Sequence, residues 1–268
     1  MKRFVFALSF ALLLALASIA SAVEVFTVAT EGAFAPYNYI NENGEPDGYD
    51  VAVAKAVDEL IPEIEFKIQP VDWASIFVGF EAGRYELIVS QIAKTIEREE
   101  RYLYSDVPYA WEAGAIAFLK GRTDIQKMED LIGKTVTVGV GGEQAIHLEN
   151  WNNKHGGKIK IVYNDGNIAK MLLDVENRRV DATVTNPVTA ALIAKEQGLD
   201  IDFVLRGDVD FAPVYWLFTK DEKGEKLKSL VDAALKTLIE NGKLKELSEK
   251  YLGGDYSTKE GIEARLGK

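Results

Sequence analysis

The chain has 268 residues with 31 basic and 42 acidic side chains, a formal net charge of −11, and is 47% apolar and 10% aromatic. This composition excludes disordered, collagen-like and low-complexity chains, and the length suits one large domain or two of about 100–150 residues. The acidic balance argues against nucleic acid or an anionic lipid surface as partner, since both need a basic patch, but a local Arg can still hold a small anion because distant charge is screened beyond ~8 Å.

Residues 1–22 read as a targeting segment. Lys2 and Arg3 form a positive start, Phe4 to Ala17 is apolar apart from Ser9, and Ala20-Ser21-Ala22 supplies a small-x-small cleavage site. The run is shorter than the roughly 20 residues that span a bilayer. Cleavage after Ala22 leaves a chain of net charge −13. Cysteine is absent, which excludes disulfides, thiolate metal sites, thiol catalysis and a lipidated cysteine at the processing site. The expectation is a free periplasmic protein held by its core alone.

From Val25 onward short β-branched runs alternate with amphipathic stretches. Val25 to Ala29, Phe66 to Ile68, Leu87 to Val89, Ile116 to Leu119, Thr135 to Val140, Ile159 to Tyr163, Ala182 to Val184 and Tyr215 to Phe218 read as strands. Val53, Ala54, Val57 and Leu60 share one helical face, and Leu227, Leu230, Val231, Ala234, Leu235 and Leu238 share another. Such alternation predicts an α/β fold with parallel sheets.

One unit occurs twice. Trp73, Ile76, Phe77 and Phe80 have helical spacing and lead through Gly83-Arg84 to Glu86-Leu87-Ile88-Val89-Ser90-Gln91. Ile168, Met171, Leu172 and Val175 repeat that spacing 95 residues later and lead through Arg178-Arg179 to Asp181-Ala182-Thr183-Val184-Thr185-Asn186. Two lobes of similar build are the economical explanation. Ligands of open α/β sheets bind beyond the carboxyl ends of strands, so Ser90-Gln91 and Thr185-Asn186 mark the expected cleft.

Within Glu97-Arg98-Glu99-Glu100-Arg101 most charges suit a solvated helix start with i,i+4 pairs. Arg98 stands eight residues after Ser90, close enough for its guanidinium to return to the cleft and grip a carboxylate bidentately. Glu31, in Thr30-Glu31-Gly32-Ala33-Phe34-Ala35-Pro36-Tyr37, offers an acid beside aromatics, suited to an ammonium and an apolar stem. Trp73 suits either core or cleft. Gly141-Gly142-Glu143-Gln144 opens a helix whose first amides can bind an anion, but neither GxGxxG nor a Walker motif is present. His147 and His155 are the only histidines and lack ligand spacing; with no GxSxG either, no metal, no cofactor and no catalytic residues are predicted.

Taken together, the cleft residues resemble the type II periplasmic solute-binding proteins of polar amino-acid ABC importers (bacterial extracellular solute-binding protein family 3). Gly48-Tyr49-Asp50-Val51 is similar to that family's G-[FY]-D-[VI], Trp73 to Gly83 to its W/F-x-x-[IL] helix, and Thr95-Ile96-Glu97-Arg98 to T-x-E-R. Tyr104 to Tyr109 resembles [FY]-S-x-P-Y, Leu131 to Val136 resembles L-x-G-K-x-V, and Leu244 to Gly253 its closing helix. Glu31 and the Ser90-Gln91-Ile92 run resemble the cystine-type branch.

The resemblance implies an α/β Venus-flytrap fold, periplasmic-binding-protein-like type II, with two hinge crossings: lobe 1 at 24–111 plus 212–268 and lobe 2 at 112–211. It implies a monomer that binds a small carboxylate, a polar amino acid by family habit, and docks on an inner-membrane ABC permease. Arg98 takes the place of the carboxylate clamp, with the amides of Gly141, Gly142 and Glu143 beside it. Glu31 stands near the amino group, Phe34 and Trp73 form aromatic walls, and Ser90, Gln91 and Thr185 are strand-end contacts. Three places depart from the pattern: Ala93 replaces a hydroxyl residue that helps hold the carboxylate, Gly141-Gly142 stands where the strand-helix turn usually reads G-[ST] in a shortened loop, and Asn186 replaces an aspartate that neutralises the ammonium. Asn can accept a hydrogen bond from an ammonium without supplying charge, so either Glu31 balances it alone or the ligand lacks an α-amino group. The alternative is a cyclohexadienyl or arogenate dehydratase-like enzyme on the same scaffold. That chemistry needs a general acid in the lobe 2 turn, and Thr185-Asn186-Pro187-Val188-Thr189 has none.

Overall fold

The computed structural model describes residues 23–207 and 211–266; the expected targeting segment, 1–22, lies outside them. Along the chain, β1 (Glu24–Thr30) leads into a small antiparallel sheet of β2 (Ala33–Phe34), β3 (Asn38–Ile40) and β4 (Pro46–Asp47). Next come α1 (Tyr49–Asp58), β5 (Ile64–Pro70), α2 (Trp73–Glu81), β6 (Leu87–Ala93), α3 (Ile96–Arg101), β7 (Leu103–Tyr104) and β8 (Ala110–Glu112). A second set follows: β9 (Ala115–Leu119), β10 (Thr135–Gly139), α4 (Glu143–Lys154), β11 (Lys160–Asn164), α5 (Ile168–Glu176), β12 (Ala182–Thr185), α6 (Pro187–Gln197) and β13 (Ile201–Leu205). The chain then returns as β14 (Ala212–Phe218), α7 (Glu222–Glu240), α8 (Lys243–Leu252) and α9 (Lys259–Leu266).

Two large sheets result, ordered β5-β1-β6-β14-β7 (with β8 also paired to β14) and β11-β10-β12-β9-β13. In each, three parallel strands are followed by an antiparallel one: β6 meets β14, and β12 meets β9. The echoed segments occupy equivalent places. Val28 and Ala29 pair with Leu87 and Ile88, while Val136 and Thr137 pair with Ala182 and Thr183, which stand 95 residues after Leu87 and Ile88.

Local sequence explains the helix limits. Pro187 sits at the first turn of α6, where a missing N–H costs nothing, and Gly198 ends that helix in the left-handed region. Thr95, Asn167 and Asp221 cap α3, α5 and α7 by accepting the amides of Arg98, Lys170 and Gly224. The predicted stripe on α7 is buried at Leu227, Val231, Ala234, Leu235 and Leu238, with Leu230 half-buried. Each fully buried Leu or Val there contributes about 1.5–3 kcal/mol.

Several expectations need correction. Leu60 lies beyond α1, which ends at Asp58, and is 42% exposed. Val140 and Ile159 fall just outside β10 and β11. The sequence reading missed β2, β3, β4, β7 and β8, whose two or three residues give no period, and β13, a half-buried strand at the sheet edge. The segment after Gly254 folds back on the body. Ser248 Oγ donates to the Gly254 carbonyl and accepts from the Tyr256 amide, both at 2.7 Å, the Trp111 amide donates to the Tyr256 carbonyl at 2.8 Å, and α9 packs on β8.

Candidate functional site

Between the two sheets, at the carboxyl ends of β6 and β12, lies a cleft of about 690 Å³ counting its open mouth. This is the size of a small-molecule site. Glu31, Phe34, Trp73, Ser90, Gln91, Ala93 and Arg98 line it from the first half of the chain, and Gly142, Glu143, Thr185 and Asn186 from the second. Among the residues expected there, Gly141 alone is not in the lining; its carbonyl instead accepts from Arg98.

Arg98 is 8% exposed. Nη1 donates to the Ala93 carbonyl at 3.2 Å and Nη2 to the Gly141 carbonyl at 3.0 Å, while the guanidinium lies 4.7 Å from the Phe77 ring centre and 5.7 Å from that of Trp73. These two bonds engage two of its five N–H donors, leaving a fork for an anion. Burial pulls its pKa down, but a guanidinium remains charged. Trp73 also spans the cleft: Nε1 donates to the Val140 carbonyl at 3.2 Å, and its ring faces Gly166, whose φ of +102° only glycine adopts easily.

Gln91 is held in the left-handed region at φ +50°, a conformation that costs a non-glycine residue energy and persists only under outside constraint. The constraint is a buried network. Gln91 Nε2 donates to Asp50 Oδ1 at 2.6 Å and to the Tyr109 hydroxyl at 3.1 Å, and Asn38 Nδ2 donates to Asp50 Oδ2 at 2.6 Å. Burial nonetheless pushes the Asp50 carboxyl up to about 7 against the three hydrogen bonds it accepts. Because the Gln91 amide turns its NH2 toward Asp50, its Oε1 is left buried with no protein partner among the described residues. Burial first, then the charges of Asp50 and Asp72, push the Glu31 carboxyl up to about 7.

On the opposite wall Asn186 caps α6. Its Oδ1 accepts from the amides of Val188 at 2.9 Å and Thr189 at 3.2 Å, which fills both lone pairs. This corrects the expectation that Asn186 accepts from an ammonium: only its NH2 is left to face the cleft, and Nδ2 donates to the Tyr37 hydroxyl at 3.4 Å. The sequence reading also missed Glu112, Gly139, Gln144, Gly166, Ile168, Met171 and Val184 in the lining. For Glu112 a signal existed, a lone acid in the apolar run Tyr109-Ala-Trp-Glu-Ala-Gly-Ala-Ile. Behind the wall Arg206, 2% exposed, donates to Glu143 Oε1 at 3.1 Å and Gln144 Oε1 at 2.9 Å. Among the described residues no group of three or more His, Cys, Asp and Glu side chains could hold a metal, and no helix is long and apolar enough to cross a membrane. His155 stacks on Trp151 with ring centres 3.8 Å apart.

Residues 26–254 match the model of the bacterial extracellular solute-binding proteins, family 3. The chain belongs to this family. It is 33% identical over 235 residues to the L-cystine-binding protein TcyJ of Bacillus subtilis, covering 87% of this chain and 86% of the relative. It is 31% identical over 261 residues to the putative amino-acid ABC transporter-binding protein PatH of Vibrio harveyi, covering 96% and 100%. A structure described in work on glutathione import through GshT and the cystine ABC importer TcyBC of Streptococcus mutans superposes with a TM-score of 0.81 at 31% identity, covering 88% of this chain and 97% of that one. The fold is the type II periplasmic-binding-protein one, and the named relatives are binding proteins of transporters, as the motifs implied.

Proposed function

We propose that this protein is the periplasmic binding component of an ABC importer and that it binds an α-amino acid, L-cystine being the first to test, for delivery to an inner-membrane permease. The observation that carries this reading is a buried Arg98 with spare donors at one side of the cleft and the carboxyl groups of Glu31 and Glu112 elsewhere in its lining. A zwitterion complements that arrangement: its carboxylate meets the guanidinium fork and its ammonium meets an acid. Residues 24–111 with 212–268 form one lobe and 112–211 the other, and closure holds the ligand between them. Phe34 and Trp73 flank the stem, and the first-turn amides of α4, which no side chain of the capping residue Gly142 satisfies, add donors beside Arg98. The similarity to cystine-binding relatives favours a ligand with a polar group at each end.

A thermal-shift panel of L-cystine, the standard L-amino acids and matched acids lacking an amino group tests this. A ligand at 100 times its Kd stabilises by about 2.7 kcal/mol, which raises Tm by several degrees in a chain of this size. Shifts are expected with amino acids alone; shifts confined to the deaminated acids would overturn the assignment. Prephenate and arogenate belong in the same panel, and formation of an aromatic product from either would establish the enzymatic alternative.

A further inference from the structure

We propose that Glu112 holds the positively charged nitrogen of the bound ligand and that Asn186 positions it. The proposal rests on reading the cleft as an amino-acid site and names the group that sets its selectivity for a cation. Glu112 lines the cleft, is 7% exposed, and closes β8, where it pairs with Ala212 of β14. It therefore sits where the chain leaves the first sheet, beside the strand on which the chain comes back. Both chain passages between the two sheets thus run beside this residue.

Hydrogen-bond direction decides the chemistry. An ammonium is all donors and needs acceptors. Asn186 cannot supply one, since its oxygen is committed to the amides of Val188 and Thr189. Its NH2 instead donates to the Tyr37 hydroxyl at 3.4 Å, and as a donor neighbour it favours the charged form of the Glu112 carboxyl. Glu112 shares the cleft lining with Thr185 and Asn186, so its carboxyl is an ionisable acceptor beside the Asn186 amide. Gln91 Oε1, buried and without a partner among the described residues, is a neutral acceptor in the same lining.

The surroundings of Glu112 favour its neutral form until a cation arrives. Glu143 of α4 faces it with like charge, Arg206 of the return crossing and Arg98 of α3 oppose that, and Asn186 and Tyr37 are neutral neighbours. Arg206 divides its attraction, because it already donates to Glu143 and Gln144. Burial and Glu143 together outweigh both arginines and push the carboxyl up to about 8. Without a ligand this environment favours the protonated form of Glu112. Binding converts the carboxylic acid and the ligand ammonium into a carboxylate–ammonium pair, and the acid's proton leaves to solvent. Uptake is linked to proton release, so affinity rises with pH up to about 8.

Calorimetric titration of the whole protein with L-cystine and with L-arginine, each in phosphate and in Tris at pH 7, measures both affinity and proton count. The wild type should release protons through this group, up to one per ligand bound, and Glu112→Gln, an isosteric change, should lose that share together with at least about tenfold in affinity. Adding Asn186→Asp to Glu112→Gln puts a carboxylate back beside position 112 and should restore most of the affinity, whereas Glu31→Gln should leave the share due to Glu112 in place. Unchanged affinity and proton count in Glu112→Gln would overturn the proposal and leave the amino-acid site standing. A wild type that binds without releasing a proton would overturn it as well, whatever the variant does. If neither amino acid binds the wild type, the functional reading and this assignment fall together.

Discussion

The guanidinium of Arg98 donates through Nη2 to the carbonyl of Gly141 at 3.0 Å, so a side chain from one half of the molecule grips the turn that opens α4 in the other. The group placed to clamp a carboxylate is therefore also a strut across the cleft. Arg98→Ala should weaken amino-acid binding by about 2–5 kcal/mol, the loss found when a buried charged partner is removed. Arg98→Lys should recover little, because a point charge cannot reproduce the planar fork. Titration calorimetry of both variants is the check, and wild-type affinity in Arg98→Ala would remove the clamp.

Stability of the unliganded protein should fall as pH rises from mildly acidic to mildly basic. Burial pushes Glu31 and Asp50 up to about 7 and Glu112 to about 8, well above the usual carboxylate range. Acids with a raised folded-state pKa bind more protons folded than unfolded, so their contribution is fully present below about pH 4 and is lost as pH climbs through 7 to 8. Urea unfolding at pH 5 and pH 8 should show the higher midpoint at pH 5. Asp50→Asn, whose amide keeps the size but not the charge, should reduce the difference.

Gly48, just before α1, has φ +114°, and a Cβ there would meet the Tyr37 carbonyl oxygen at 2.4 Å and that of Pro36 at 2.9 Å. Both obstacles are backbone, so neither can swing aside. Gly48→Ala should cost about 3 kcal/mol from conformational strain and collision combined. Chemical denaturation measures it, and a loss below about 1 kcal/mol, the usual effect of an ordinary substitution, would contradict the packing described.

Truncation after Gly253 should destabilise the strand that carries Glu112. It removes Tyr256, 4% exposed, and Ile262, fully buried, along with the carbonyl that accepts from the Trp111 amide. Two such side chains contribute about 3–6 kcal/mol, equivalent to a Tm drop on the order of 10 °C. Calorimetric melting of the shortened chain tests the value, and intact stability would show the tail to be dispensable.

Much of the cleft was legible because its residues sit at positions that chain order reveals. Ser90, Gln91, Thr185 and Asn186 end strands of a unit that occurs twice, and strand ends of open sheets are where ligands bind. Arg98 stood out as the guanidinium a short turn away from such an end, since its planar fork grips a carboxylate as Lys94 cannot. Glu31, Phe34 and Trp73 came from their place beside strand ends together with the family resemblance, and all of them line the cleft. The residues that escaped notice, such as Ile168, Met171 and Val184, carry ordinary apolar side chains whose exposure depends on the facing lobe.

The sequence by itself determined the alternation of strands and helices, the doubled unit, the family and most of one wall of the cleft, because these follow from periodicity and from motifs of neighbouring residues. Only the tertiary structure decided what faces what. Asn186 reads as an acceptor until the helix it caps is seen to occupy its oxygen. Glu112 reads as a stray acid in an apolar run until the return of the chain as β14 and the approach of Asn186, Glu143 and Arg206 bury it in the cleft. Hydrogen-bond direction and burial are properties of groups brought together from distant parts of the chain, and spacing along one strand carries no record of them.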